Sequence, residues 1–313
     1  MSEKFVILAD VTCDINEEIR KFAGVENYLK GYIHFSDGRD FQTTLDWSNI
    51  SRDEFYKILG GKKIQVTTAP PSPEEVYQAF KSCVEQGYKV LSMSISSKIS
   101  STYNVSCVAA DKVRAEHPDC DIYCFDSYKM SGGFGLLTVY AHLMQRDGKS
   151  FYEIIDWLET NKHRVHQMGP IDDMIFIARR GKITMGKAIL GNFAGVKPMG
   201  DCSPEGYVSV LAKVKGINKA LDVTVRYVTQ MASDPSNNYV IISHSDREAY
   251  AEKVKGMIEN AIHPKKVFVT DVFCGCGANI GPGMVSVYFM GDPISEDLAA
   301  EKECINRILE ASK

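Results

Sequence analysis

A dense group of hydroxyl side chains follows an apolar run in the first third of the chain. Ser and Thr occupy six of the nine positions 94–102, directly after the mostly apolar residues 90–93. A helix is predicted to begin near Ser100 or Ser101, where free backbone N–H groups and the helix dipole favour an anion. Serine and threonine hydroxyls can donate to the same anion. The stretch predicts an anion or carboxylate site, although a helix cap and a solvated turn would use the same residues.

Three other polar or glycine-rich segments also follow predicted strands. They are residues 10–14, 67–71 and 126–133. In parallel α/β sheets, ligands bind beyond the carboxyl ends of the strands, so these segments and the hydroxyl group are predicted to meet at one edge. Thr67 and Thr68 would add two more hydroxyls there.

A serine in this group could instead act as a nucleophile, which requires a base within hydrogen-bond reach. His244, at the end of a predicted strand, is the available candidate, and a structural role is the alternative for it. The chain has no G-x-S-x-G elbow. A hydrolase or other enzyme that acts on a small anionic substrate through Ser100 therefore stays the alternative function.

Two segments resemble nucleotide and metal motifs only in part. Residues 181–188 have the spacing G-x-x-x-x-G-K, but Ala188 stands where a Walker A loop needs Ser or Thr to hold magnesium. Arg179 and Arg180, beside Gly181, could still face an anion or form a solvated basic turn. Cys274 and Cys276 form a cysteine pair, but the sequence has no second pair of cysteines or histidines at the spacing of zinc ligands. We expect no metal and no cofactor.

Composition narrows the function classes. The chain has 313 residues with 44% hydrophobic and 24% charged residues and a net charge of -4. These values are typical of soluble proteins, and the absence of a basic stripe argues against nucleic-acid binding. Nine cysteines without a framework predict reduced thiols. With no signal-peptide pattern and no stretch of transmembrane length, we expect a cytoplasmic protein without stable membrane insertion.

Strands and helices alternate in the first half, which predicts a parallel, Rossmann-like sheet with helices on both faces. The predicted strands are 5–9, 64–67, 90–93 and 122–125, and the predicted helices are 73–86, 101–116 and 133–146. Ser72 followed by Pro73 and two glutamates is a clear helix start. We predict an N-terminal α/β domain over residues 1–165 that carries the hydroxyl site.

The second half, residues 166–313, is predicted as a C-terminal α/β domain. Its predicted helices are 171–180, 186–196, 218–231, 247–261 and 292–313, and its predicted strands are 208–214, 239–243, 267–272 and 284–290. The glycines and the proline of residues 277–283 predict a fixed turn, where backbone approaches backbone or a ligand.

Six segments, in order along nearly the whole chain, resemble motifs of the DegV family of bacterial fatty-acid-binding proteins. ILADVTCDI is similar to the D-S-T-S/A-D motif, and TTAPPSPEEV resembles T-S-x-P with its helix. ISSKISSTYNVSCVAA resembles I-S-S-x-L-S-G-T-Y-x-S-A, and FDSYKMSGGFGLL resembles D-S-x-x-x-S-x-G-x-G-L. ARRGKITMGKAILGNFAGVKPM resembles G-G-R-I with the I-K-P-I that follows, and GANIGPGMVSV resembles G-T-H-x-G-P-G.

The resemblance implies a two-domain α/β protein with a long-chain fatty acid bound between the domains. Serine and threonine hydroxyls would hold the carboxylate, and an apolar tunnel would hold the acyl chain. The family's role implies presentation of the acid to a separate ATP-dependent fatty-acid kinase subunit, whose acyl phosphate enters phospholipid synthesis. The chain would then be a non-catalytic lipid-binding protein of the bacterial cytoplasm, with the fatty acid as its ligand.

The motif positions also assign residues. Thr67 matches the threonine that contacts the carboxylate, and Ser100 matches the serine that is its main ligand. Neighbouring Ser97 and Ser101 are included in the predicted site, together with Asn279 and Arg180, which both stand at motif positions.

Several positions depart from the family pattern. Ser101 replaces a glycine, and Arg180 replaces a glycine of G-G-R-I, while Lys182 takes the place of that arginine. Asn279 stands at the histidine of G-T-H-x-G-P-G and can donate a hydrogen bond but cannot titrate. Lys215 stands where the family often has arginine. These departures concern the kinase step more than lipid binding.

The energetics favour a lipid ligand. A sixteen-carbon acid buries about fourteen methylenes, which at about 0.8 kcal/mol each gives roughly 11 kcal/mol before ordering costs. The apolar stretches expected to line the tunnel are 134–143, 189–196 and 285–290, with ordinary core as the alternative for each.

Overall fold

The computed structural model describes residues 4–61, 63–180 and 195–311. Its strands are β1 (Phe5–Asp10), β2 (Tyr28–Leu29), β3 (Tyr32–Phe35), β4 (Asp40–Gln42), β5 (Val66–Ala69), β6 (Lys89–Ser94), β7 (Ile122–Asp126), β8 (Val165–Met168), β9 (Val196–Cys202), β10 (Val208–Lys215), β11 (Tyr239–His244), β12 (Lys266–Asp271) and β13 (Val285–Met290).

Five of the eleven helices that the structure describes begin at a side-chain cap. The eleven helices are α1 (Glu17–Ala23), α2 (Arg52–Gly60), α3 (Pro73–Glu85), α4 (Thr102–Glu116), α5 (Ser131–Arg146), α6 (Phe151–Asn161), α7 (Met174–Arg179), α8 (Ile217–Met231), α9 (Glu248–Ile262), α10 (Cys274–Ile280) and α11 (Ala299–Glu310). The predicted start at Pro73 is confirmed, because Ser72 and Glu75 form a capping box.

The N-terminal sheet is parallel, as predicted, with strand order β2-β1-β6-β7. Ala9 of β1 lies opposite Met93 of β6, and Met93 lies opposite Phe125 of β7. The three strands therefore end side by side, which brings the segments that follow them to one edge of the sheet. The mixed α/β fold class is confirmed.

Residues 64–67 were predicted as a strand of this parallel sheet, and that prediction is wrong. The strand here is β5, shifted two residues toward the C-terminus, and it belongs to a separate antiparallel sheet with order β4-β3-β5. In β3 and β5, Ile33 lies opposite Thr68. The short strands β3 and β4 were not predicted, although Asp37 and Gly38, which has φ +93°, mark the turn between them.

The C-terminal half contains a mixed sheet with order β12-β11-β13-β8 and an antiparallel β9–β10 hairpin. β11 and β12 are parallel, while β13 is antiparallel to both β11 and β8. The chain enters this sheet at β8, where the predicted domain boundary falls. The division into domains 1–165 and 166–313 stays a prediction.

The structure corrects two helix boundaries and one predicted turn of this half. α7 begins at Met174, because the Asp173 carboxylate accepts hydrogen bonds from the N–H groups of Ile175 and Phe176. The predicted turn 277–283 starts as the helix α10 and becomes irregular only at Gly281, with φ +78°. The last helix, predicted from residue 292, begins at Ala299. Of the predicted helix 186–196, residues 186–194 lie outside the described residues.

Helix α5 packs between the two larger sheets. One apolar cluster joins its Phe134 and Leu137 to Leu91 of β6 and Ile241 of β11. Residues 134–143 were expected to line a tunnel, with ordinary core as the alternative. They do not line the cavity described below, and all of them except the partly buried Tyr140 are buried in the core. Gly135 allows this packing, since a Cβ there would lie 2.3 Å from the carbonyl oxygen of Cys13.

All nine cysteines are free thiols. Within residues 4–61, 63–180 and 195–311, the search for a helix both long and apolar enough to cross a bilayer found none.

Candidate functional site

A cavity of ≈ 300 Å³ lies where the two halves of the chain meet. Its polar lining includes hydroxyl side chains from four segments of the N-terminal half, namely Thr12, Thr43, Thr68, Ser100, Ser101 and Thr102. Its apolar lining includes residues on and next to α7 and from the β9–β10 hairpin, namely Ile171, Met174, Ile177, Pro198, Met199 and Val210. One cavity therefore connects a hydroxyl-rich end to an apolar wall.

Hydroxyls at the N-terminus of α4 form part of the polar end. Ser100 Oγ accepts a hydrogen bond from the Thr102 N–H at 3.3 Å and lies 2.9 Å from Thr102 Oγ1. Ser101 is exposed and makes no side-chain cap bond. The beginning of this fifteen-residue helix thus offers hydroxyl donors together with its positive dipole end.

The remaining hydroxyls of residues 94–102 do not reach the cavity. Ser94 and Ser96 are fully buried, and Ser96 Oγ donates to the carbonyl of Gly206 at 2.8 Å. Ser97 is half-buried and is not among the lining residues; its backbone N–H donates to Asp126 Oδ1 at 3.1 Å. The Ser96 hydroxyl and the Ser97 N–H thus hold the loop between β6 and α4, whereas the Ser94 hydroxyl has no hydrogen-bond partner among the described residues.

Asp10 joins the ends of two strands at the cavity wall. Its Oδ2 accepts from the Ile95 N–H at 2.9 Å, and its Oδ1 accepts from the Thr12 N–H at 2.8 Å and from the Thr12 hydroxyl. Burial raises the pKa of Asp10, and these hydrogen bonds oppose the rise. The carboxyl group fixes the loop that carries Thr12.

The structure corrects the register of one predicted contact. Thr67 is exposed and does not line the cavity, whereas Thr68, the next residue of β5, does. Successive side chains of a strand point to opposite faces, so only one of the two threonines can face the cavity. Thr68-Ala69-Pro70-Pro71 also fits the T-S-x-P spacing. We therefore move the predicted carboxylate contact from Thr67 to Thr68.

Asn279 lines the cavity next to Thr68. Its Nδ2 donates to Thr68 Oγ1 at 3.1 Å and to the Gly275 carbonyl at 3.2 Å. The position is set by α10, which passes against β5. The two residues come from opposite halves of the chain, so the polar end of the cavity is completed only when the halves meet.

The cationic side chains that the sequence analysis singled out do not line the cavity where the structure describes them. Arg180 is half-buried, donates to the Val66 carbonyl of β5 and stacks its guanidinium on the Phe176 ring, with 5.0 Å to the centroid. It is not among the lining residues. Lys215 is exposed at the end of β10. Lys182 and the Walker-like segment 181–188 lie outside the described residues.

The geometry does not pair Ser100 with a histidine base. His244 Nδ1 accepts from the Arg247 N–H at 3.4 Å, and His244 Nε2 lies 3.7 Å from Asp271 Oδ1. His244 is 2% exposed and is not among the cavity-lining residues. The nucleophile and base that the hydrolase alternative requires are therefore not brought together.

Charge is sparse in the cavity. Among the lining residues that the structure describes, there is no Lys, Arg or His, and Asp10 is the single carboxylate. The same part of the chain contains no group of three or more His, Cys, Asp or Glu placed to hold a metal ion. The donors that the described lining residues offer to an anion are therefore neutral.

Sequence reasoning missed several lining residues. Thr43 lies in a loop that follows the unpredicted strand β4, and Gln167 lies in β8, which was also not predicted. Tyr288 and Ser286 of the predicted strand 284–290 line the cavity, whereas Val285 and Val287 pack in the core of the C-terminal half. The alternation of side chains along a strand could have divided β13 into two faces. It could not have shown which of these faces lines a cavity.

A family model described as "Uncharacterised protein, DegV family" matches residues 4–292. The chain belongs to the DegV family. A DegV domain-containing protein of Clostridium perfringens is 31% identical over 290 residues, which cover 93% of this chain and 98% of the relative. The family resemblance carried by the six motifs is confirmed.

Solved structures share the fold of this DegV-family chain. A Thermus thermophilus DegV family protein, described by its fatty acid binding, has a TM-score of 0.81 and 22% identity over 92% of this chain and 99% of its own. The Streptococcus pneumoniae fatty acid kinase (Fak) B3 protein, loaded with linoleic acid, has a TM-score of 0.79 and 16% identity over 93% and 100% of the two chains.

Proposed function

We propose that this DegV-family chain binds a long-chain fatty acid. The carboxylate accepts hydrogen bonds from Thr68 and Ser100, and the acyl chain lies against the apolar wall. The observation that carries the proposal is the continuity of one cavity from the hydroxyls of α4 and β5 to the methionine and isoleucine side chains of α7 and the β9–β10 hairpin. The fatty acids named for the fold neighbours support the same ligand class.

The hydrogen-bond directions at the polar end suit a carboxylate, which only accepts. Thr68 Oγ1 already accepts from Asn279 Nδ2, so its own proton is free to be donated to a ligand. Ser100 Oγ accepts from the Thr102 N–H, which leaves the Ser100 proton for either Thr102 Oγ1 or a ligand. The α4 dipole adds a favourable field. These donors offset the desolvation of the head group, and no cation is needed from the described lining residues.

We further propose that the chain is the non-catalytic binding subunit of a fatty-acid kinase. It would present the carboxylate to a separate ATP-dependent subunit that forms the acyl phosphate used in phospholipid synthesis. The fold shared with a protein described as a fatty acid kinase B3 protein supports this. The separation of Ser100 from His244 favours binding over hydrolysis.

The test is to extract lipids from the purified chain, identify them by mass spectrometry, and titrate the delipidated protein with palmitate. We expect a long-chain acid at near-stoichiometric amount and saturable rebinding. The proposal would be contradicted if the chain carried no acid and showed no saturable binding. It would also be contradicted if the wild-type chain hydrolysed esters and Ser100→Ala did not. For the kinase step, the loaded chain is mixed with candidate kinase subunits and ATP, and acyl phosphate is trapped with hydroxylamine; acyl hydroxamate in no mixture would contradict that step.

A further inference from the structure

Three polar side chains of the C-terminal sheet face the cavity on its sheet wall. They are Gln167 of β8 and Ser286 and Tyr288 of β13, which line the cavity and are 7%, 6% and 2% exposed. Gln167 and Tyr288 lie directly opposite each other in the β8–β13 register. Ser286 is two residues from Tyr288 and therefore shares its face. We call these three residues the polar strip.

The Gln167 amide has no partner for its hydrogen-bonding groups among residues 4–61, 63–180 and 195–311. Its backbone, by contrast, is bonded, since the Gln167 N–H donates to Asp201 Oδ1 at 2.8 Å. The amide faces the open cavity, and a row of methylenes that displaced water from it would leave it unpaired at a cost of about 1–3 kcal/mol. A ligand with a polar atom at this level of the cavity would relieve it.

The Tyr288 ring is held in a fixed place beside the amide. A Cβ at Gly132 would lie 2.6 Å from Tyr288 Cδ2, and one at Gly133 would lie 3.0 Å from Tyr288 Cδ1. The backbone of α5 therefore packs directly on the ring. The phenol interacts with the hydroxyls of Ser286 and Ser131. Each hydroxyl group is both a donor and an acceptor, so Tyr288 and Ser286 can together offer a ligand alcohol a donor and an acceptor.

The residues next to the polar strip on the same strand faces have no polar side chain. Gly169 and Met284 lie two residues beyond Gln167 and Ser286, and both line the cavity. The polar atoms are thus confined to one part of the sheet wall, and they belong to a different element from the hydroxyls of α4 and β5. A ligand that satisfies both places carries a carboxylate and a second, separate oxygen function.

We infer that the preferred ligand is a hydroxy fatty acid, whose chain hydroxyl is bound by Gln167, Ser286 and Tyr288 while its carboxylate is bound by Thr68 and Ser100. This inference rests on the proposed fatty-acid binding and specifies its substrate class. A site built to bond a hydroxyl discriminates strongly against the analogue that lacks it, because its own buried polar groups then stay unpaired.

The test compares stearic acid with 10-hydroxystearic and 12-hydroxystearic acid on the delipidated full chain by calorimetric titration. At least one hydroxy acid is expected to bind about tenfold tighter than stearic acid. Gln167→Leu and Tyr288→Phe, the second of which removes a single oxygen atom, are expected to reduce that preference severalfold. Ser243→Ala is the matched control, because Ser243 lies opposite Ser286 in β11 but does not line the cavity.

Failure of this inference and failure of the proposed function are distinguishable. Equal affinity for stearic and both hydroxy acids, with a ratio unchanged in Gln167→Leu and Tyr288→Phe, overturns the hydroxyl site and leaves fatty-acid binding intact. An equal increase in the affinity of Gln167→Leu for all three acids also overturns it, because that result would mean that the strip binds water and not the ligand hydroxyl. If none of the acids binds, both proposals fail.

Discussion

Asn279 Nδ2 lies 3.1 Å from Thr68 Oγ1, and this hydrogen bond joins α10 to β5 across 211 positions of the chain. The second proton of the same amide is donated to the Gly275 carbonyl at 3.2 Å. Both amide protons are therefore engaged, and we expect Asn279 to position the Thr68 hydroxyl rather than to donate to a ligand itself.

Asn279→Asp reverses that hydrogen bond. A carboxylate only accepts, so Thr68 would donate to the introduced carboxylate and turn its proton away from the fatty acid, and two negative charges would lie close together. We expect palmitate affinity to fall more than tenfold in a calorimetric titration, and about fivefold in Asn279→Ala. Asn49→Asp is the control, since Asn49 bonds the Gln42 carbonyl in an exposed loop. Equal affinities of the two Asp variants would count against the positioning role.

The two threonines of β5 provide a matched pair. Thr68→Ala removes a donor that faces the cavity, whereas Thr67→Ala changes an exposed side chain one residue away. We expect Thr68→Ala and Ser100→Ala to weaken palmitate binding about five- to twentyfold, the value of one or two hydrogen bonds to a charged group. Thr67→Ala should bind as wild type. The reverse ranking of the threonine variants would refute the corrected register.

Arg180 is expected to hold the apolar wall rather than the ligand. Its guanidinium connects the end of α7 to the Val66 carbonyl of β5, and α7 contributes Met174 and Ile177 to the cavity. Arg180→Ala should therefore speed palmitate dissociation several times, measured by transfer to albumin, because the wall loses a contact with β5. Arg179→Ala, which alters an exposed neighbour, serves for comparison. Identical dissociation rates would argue against this role.

Glycine substitutions test how closely α5 must pack. Gly135→Ala places a Cβ 2.3 Å from the Cys13 carbonyl, a backbone atom that cannot rotate away. We expect a loss of about 1–3 kcal/mol in the free energy of unfolding by urea. Gly256→Ala, in the interior of α9 with no atom within 4 Å of the new Cβ, should instead gain about 0.5–1 kcal/mol. A stable Gly135→Ala protein would mean that α5 can shift.

Asp14 predicts a pH dependence of stability. The carboxyl is fully buried next to the cavity loop, and burial raises its pKa from 3.8 to about 7, although hydrogen bonds such as that from the Phe273 N–H oppose the rise. A carboxyl with a raised folded pKa contributes its full stability below the unfolded pKa, and this stability is lost as the pH rises through the folded value. The contribution of Asp14 should therefore lower Tm as the pH rises from about 4 to about 7 and should level off above that range.

The variant Asp14→Asn isolates this group. Because asparagine does not titrate, the decrease in Tm over the same pH range should be smaller than in wild type, and the difference between the two curves should grow with pH across that range. Asp53→Asn, whose side chain is 88% exposed, should follow the wild-type curve. Parallel curves for wild type and Asp14→Asn would exclude Asp14 as the source.

The amino-acid sequence alone determined several of the elements and the place of the hydroxyls that follow β6. Hydrophobic periodicity and caps located β1, β6, β7, α3 and α4, since these signals are local. The hydroxyls at Ser100 and Thr102 could also be located from the sequence. They follow β6, and the segments that follow parallel strands lie at one edge of the sheet. The six motifs were sufficient to identify the DegV family.

Only the tertiary structure decided which side chains meet. It placed Thr68 rather than Thr67 in the cavity, brought Asn279 to it, and put Gln167 beside Tyr288. Each of these results depends on strand register and on contacts between distant segments. A shift of one residue in a strand exchanges its two faces, and a single sequence contains no local signal that fixes which face a remote helix or sheet will cover.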